Sequence, residues 1–169
     1  MDCRAGRHCE ERSDAAIAMM KANDRDVFHS PLSKERQPIV LDTNIVLDVF
    51  VFNDAATLPL KKALETGELD WLATQAMRDE LARVLAYPKI VPRLKCYKLS
   101  AGDVLASFDC HARLIAVAAR ASASCRDPDD QKFIDLAVAW RALLLSKDHA
   151  VISMKKRLLA LGVHVQAAT

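Results

Sequence analysis

From Pro38 onward the chain alternates short apolar runs, uninterrupted by polar residues, with longer stretches whose apolar positions recur at threes and fours. A strand with one wet face alternates apolar and polar residues, whereas a strand covered on both faces is apolar throughout. Such runs therefore belong to a parallel sheet clad in helices. The expected fold is α/β: a three-layer α/β/α sandwich with a central, mostly parallel five-stranded sheet. Strands are expected at about 39–42, 69–73, 142–145 and 163–165, with a short one near 115–119. The spacing predicts helices through the forties, at 57–66 with Gly67 as the stop, and at 75–86 with Thr74 as N-cap and Tyr87-Pro88 at the end. Further helices are predicted across 99–120, after Asp127-Pro128-Asp129-Asp130 on Phe133, Leu136, Ala137 and Trp140, and at 149–161 with Gly162 as the stop.

A chain of 169 residues with 51% hydrophobic content has enough material for one domain with a real core and too little for two. Residues 1–36 read as a polar N-terminal extension, partly flexible, with Met19 and Met20 as alternative starts, and residues 37–169 as the folded domain. A net charge of +2 excludes nucleic-acid binding by bulk charge, so any such partner needs a local patch. Five cysteines without a C-x-x-C pair exclude a disulfide framework and a zinc ribbon and point to a reducing cytoplasm. Cys3, His8 and Cys9 match no metal-ligand spacing and are read as free thiols. No apolar segment of about 18 residues is present, so no membrane span is expected.

Two of the apolar runs end on an acid. Ile39-Val40-Leu41 breaks onto Asp42, and Leu143-Leu144-Leu145 passes through Ser146 and Lys147 to Asp148. Glu80 lies three residues after Met77 and four before Val84, on the apolar side of its helix, and Asp127, Asp129 and Asp130 cluster before the next. Acids gathered where a parallel sheet opens its crevice are suited to holding a divalent cation against phosphates. Any one of them, taken alone, reads as a helix cap or a solvated charge. The joint pattern favours a metal site.

Leu41-Asp42-Thr43-Asn44, Glu80, Asp130 with Phe133 to Ala137, and Ser146-Lys147-Asp148 resemble the PIN-domain family, and in particular its ribonuclease toxins of bacterial toxin-antitoxin pairs. The resemblance spans roughly 38–166. It implies a five-stranded parallel sheet between helices and a Mg²⁺- or Mn²⁺-dependent endoribonuclease, with Asp42, Glu80, Asp130 and Asp148 as catalytic metal ligands. Asn44 and Ser146 match positions where the family keeps a small polar group bonding the acids, although Thr is commoner than Ser at the second, and Asp127 reads as a supporting or capping residue. The 36-residue forward extension is not required by the family. The resemblance also implies a small protein antitoxin as partner and a homodimer or higher oligomer, for which Val49, Phe50, Val51 and Phe52 are expected to be exposed.

No acid lies between Glu80 and Asp103, where Arg83, Lys89, Arg93, Lys95 and Lys98 occur with Tyr87 and Tyr97 among them. This patch is the expected RNA contact, with cations on phosphates and tyrosines stacked on bases; its alternative is a solvated loop and helix face. Lys155-Lys156-Arg157 reads as the outer face of the last helix. Two other functions remain open. A haloacid-dehalogenase-like phosphatase also uses a strand-terminal Asp but needs a second Asp two residues on, where Asn44 stands. A catalytically silent RNA- or protein-binding module is the other.

Overall fold

The computed structural model describes residues 36–167. The expected N-terminal extension, the alternative starts and Cys3, His8 and Cys9 lie outside them, apart from Arg36. Five strands form one sheet in the order β3-β2-β1-β4-β5: β1 (Gln37–Leu41), β2 (Leu69–Ala73), β3 (Ala112–Leu114), β4 (Leu143–Leu145) and β5 (Val165–Gln166). All four pairings are parallel, with Ile39 opposite Trp71 on one side and Leu143 on the other. Ile39, Val40 and Leu41 are buried, as a central strand covered on both faces requires.

Starting from β1, the chain adds β2 and β3 on one side and then crosses back to add β4 and β5 on the other. Parallel crossovers are right-handed in about 98% of cases, so this reversal places the two sets of connecting helices on opposite faces. One set comprises α1 (Thr43–Leu47), α2 (Leu58–Glu65), α3 (Gln75–Leu85), α4 (Val91–Cys96) and α5 (Ala101–His111). The other comprises α6 (Gln131–Trp140), α7 (His149–Ile152) and α8 (Lys155–Leu159). The strand order reverses between β1 and β4. There the connections leave in opposite directions, and the crevice beyond the strand ends is the usual ligand site of such sheets.

The expected fold class holds, and several boundaries move. The single long helix across 99–120 ends at His111, and β3 forms at Ala112–Leu114, earlier than the expected strand. The exposed edge of β2 takes Ala112 and Arg113 as partners for Trp71 and Leu72, and Ile115 N–H donates to Ala73 O at 2.9 Å. Ladder bonding outweighs the helical preference of the alanine-rich segment here. The last helix is broken: α7 and α8 are separate turns divided at Ser153 and Met154, and Gly162 follows with φ +81°. Gly67, with φ +68°, closes α2 as expected. Thr74 precedes α3 without a side-chain capping bond.

The stretch after α1 continues as a π-helical turn, Asp48–Phe52, which ends on Asn53 in the left-handed region. Its apolar residues are not an exposed dimer surface. Val49 and Val51 are buried, and Phe50 stacks on Trp71 at 6.0 Å between ring centroids. Phe52 is half-buried, with the Arg93 guanidinium 5.1 Å from its ring centre. The turn pulls these side chains under α3 to α5, against a core that includes Trp71 and Phe108 packed edge to face at 4.8 Å. Among the described residues no helix is long and apolar enough to cross a membrane.

Candidate active site

Asp42 and Asp148 follow β1 and β4, the two strands flanking the reversal. Each is the N-cap of the helix that follows: the Asp42 carboxylate accepts from Asn44 N–H at 3.4 Å and the Asp148 carboxylate from Ala150 N–H at 2.6 Å. Ser146 joins the two corners. Its hydroxyl, fully buried, donates to Asp42 Oδ2 at 2.8 Å and accepts from the Asp148 backbone N–H at 3.0 Å. One side chain thus fixes the rotamer of one acid and the backbone of the other. Lys147 reinforces the corner by pairing with Asp48 at 2.8 Å.

Asp130 is the residue before α6, and its carboxylate makes no capping bond. The preceding turn is closed instead by Asp127, whose Oδ1 accepts from Asp129 N–H at 2.9 Å. The Asp-Pro-Asp-Asp run therefore works differently from a simple cap: Asp127 holds the turn and Asp130 is free to face the acids. Glu80, from the middle of α3, accepts from the Thr43 hydroxyl at 3.1 Å and pairs with the Lys132 ammonium. Sequence reasoning missed both partners. Thr43 was signalled only by adjacency to Asp42, and Lys132 by nothing in the spacing.

Asp42, Glu80 and Asp130 line one cleft of about 390 Å³. Asp148 does not line it, but its charge acts on both Asp42 and Asp130. Burial, first, raises the Asp42 carboxyl above its usual value, with the charges of Asp148 and Glu80 adding, while the bonds from Ser146 and Asn44 oppose the rise. Burial also leads at Asp130, followed by the charges of Asp42, Asp148 and Asp127, and pushes it from 3.8 up to about 7. Four acids from four segments thus meet electrostatically.

The donor set suits a hard divalent cation. The side-chain donors are carboxylate oxygens, and Asp130 Oδ2 is buried with no hydrogen-bond partner, a costly state that a cation would relieve. The set is not pre-arranged: among the described residues no three His, Cys, Asp or Glu side chains stand in a ready-made ligating group. Glu80 is turned toward Thr43 and Lys132, and Asp148 toward the start of α7. Both Glu80 oxygens are engaged, Oε1 by Thr43 and Oε2 by Lys132.

Lys89 and Arg93 line the same cleft, with Tyr87 beside them. Arg83, Lys95 and Lys98 are exposed but do not line it, and neither does Tyr97, whose ring lies 6.4 Å from that of Phe52. Asn44 faces the cleft, yet its bond to Asp42 comes from the backbone N–H rather than the side-chain amide.

The fold has counterparts among known proteins. Residues 38–150 match the PIN-domain family. The fold is similar to a chain in the crystal structure of VapBC2 from Rickettsia felis bound to a DNA fragment from their promoter, with a TM-score of 0.53 and 14% sequence identity, covering 78% of this chain and 98% of that one. No curated protein sequence matches. The family match covers most of the chain and runs through Asp42, Glu80, Asp130 and Asp148, so the chain belongs to the PIN-domain family, whose members are generally nucleases.

Proposed function

We propose that the protein is a metal-dependent endoribonuclease that cleaves single-stranded RNA, and that it acts in the cytoplasm as the toxin of a toxin-antitoxin pair. The reading is carried by one observation: Asp42 and Asp148 stand at the reversal of strand order, joined through Ser146, with Asp130 Oδ2 buried and unpartnered beside them. Asp42, Asp130 and Asp148, with Glu80 after release from Lys132, would hold Mg²⁺ or Mn²⁺. When bound, that cation supplies polarisation of the phosphodiester and acidification of water. Ser146 and the Asn44 N–H keep the Asp42 oxygens aimed, Lys89 and Arg93 neutralise phosphates, and Tyr87 offers a ring to an unpaired base. Asn44 stands where a phosphatase with a covalent aspartyl intermediate needs its second acid, which weighs against that reading.

The toxin role is supported by the fold shared with a chain of the VapBC2 complex, and it calls for a small protein partner that covers the acidic cleft. Lys132 against Glu80, and the absence of a pre-arranged ligand group among the described residues, favour a second reading as a silent RNA-binding module. Incubation of the full chain with labelled single-stranded RNA separates the two. EDTA-sensitive cleavage that disappears in Asp42→Asn, a variant expected to stay folded, supports the nuclease; binding without cleavage in Mg²⁺ and in Mn²⁺ supports the silent module.

A further inference from the structure

Resting on the ribonuclease reading, we propose that a second, basic cleft between residues 124–126 and the α7–α8 pair binds phosphates of the same RNA strand where it runs past the acidic site. This cleft has a volume of about 480 Å³. Arg126, His149 and Arg157 line it together with the hydroxyl-bearing Ser124 and Ser153, and no acid does. Among the described residues neither guanidinium has an ion-pair partner, so both planar donor forks are available to phosphate oxygens.

The wall of the cleft is fixed from beneath. Cys125 N–H donates to the buried Gln131 side chain at 2.7 Å, and that same amide donates to Ala123 O at 3.0 Å. Arg126 is therefore carried on an anchored segment. Of the basic run in α8, only Arg157 turns into the cleft; Lys155 and Lys156 are exposed and do not line it.

Its place relative to the acids gives the cleft a role. His149 follows Asp148 directly, and Arg126 precedes Asp127, whose charge acts on Asp130. Lys89 and Arg93 come from the β2 side of the strand reversal, whereas Arg126, His149 and Arg157 come from the β4–β5 side. A strand whose scissile phosphate sits at the acids has further phosphates in both directions, and the acids repel them all. Cations on a single side hold only one arm of the strand. The second cleft supplies counter-charge for the other.

The test is fluorescence anisotropy of the full chain in EDTA with a labelled single strand of about 12 nucleotides, within the size range of single-strand binding sites, and one of about 3, below it. The double variant Arg126→Ser/Arg157→Ser should weaken binding of the longer strand by about tenfold and lower its salt slope by about 1.4, while leaving the trimer within twofold. Lys155→Ser/Lys156→Ser, which removes the same charge from outside the cleft, should change both strands less than threefold. Both exposed arginines permit folding, checked by an unchanged melting temperature. The proposal is overturned by an unaltered slope in the arginine variant, by equal losses for the two strand lengths, by an equal loss in the lysine control, or by inorganic phosphate displacing the long strand from the parent at the same concentration as the RNA does. If the arginine variant binds normally while Lys89→Glu/Arg93→Glu does not, the second cleft fails and the ribonuclease reading stands. If the parent binds no RNA, both fail.

Discussion

Asp130→Asn should make the cation-free protein more stable at alkaline pH and leave it little changed in acid. The folded state holds the Asp130 carboxyl up at about 7 against 3.8 for an ordinary Asp. Between those values the folded chain keeps a proton that the unfolded chain has released, so stability falls as pH rises through the window and levels off above about 7. A shift of that size corresponds to about 4 kcal/mol in a dry site, and the partial exposure of Asp130 screens it to about 1–2 kcal/mol. Asn cannot ionise and removes the part of the fall that Asp130 causes. Melting in EDTA across pH 4.5–8.5 should then find the parent losing about 3–8 °C relative to the variant as pH rises. Saturating Mg²⁺ should restore the parent at pH 8 and stabilise the variant less, because a ligand that binds only the folded state at ten times its Kd adds about 1.4 kcal/mol. A variant that melts below the parent at pH 8 in EDTA, or two profiles that run parallel, would refute the claim that Asp130 is held among repelling acids.

Ser146→Ala strips a fully buried bond from a carboxylate and leaves the Asp148 N–H unpaired, so urea denaturation should register a loss of about 1.5–3 kcal/mol. An unmoved midpoint would mean that the hydroxyl does not organise the two corners. Charge reversal at Lys89 and Arg93, which line the acidic cleft, should reduce the salt slope of single-stranded RNA binding by at least about 1.4. The same change at Lys95 and Lys98, outside the lining, should do less; an equal effect would return the whole basic segment to the role of a diffuse field. Replacing Lys132 with Met frees Glu80 from its ion pair and should tighten Mn²⁺ binding in calorimetry, whereas weaker binding would assign Lys132 a supporting part in the site.

The sheet and the placing of acids near its strand reversal were legible because both follow from chain pattern. Runs apolar throughout mark strands covered on both faces, and an acid at or just beyond the end of such a run at the centre of a parallel sheet falls near the strand reversal, as Asp42 does directly and Asp148 two residues further on. What was not legible depended on neighbours far along the chain. β3 formed where the edge of β2 demanded a partner, not where composition favoured a strand. Val49 and Val51 looked exposable because a π turn, which rotates side chains away from α-helical positions, leaves no spacing signal. Lys132 on Glu80, and Arg157 sharing a cleft with residues 124–126, are likewise set by neighbours distant along the chain. The basic segment after Glu80 was visible as composition; that Lys89 and Arg93 alone of its five cations line the acidic cleft was not.

Diffraction at the manganese edge from crystals grown in saturating Mn²⁺ addresses the gathering of the acids most directly. An anomalous peak within about 2.5 Å of oxygens of Asp42 and at least one of Asp130 and Asp148 is the expected result. No peak in that cleft, with Asp130 still unpartnered and Glu80 still on Lys132, would contradict it.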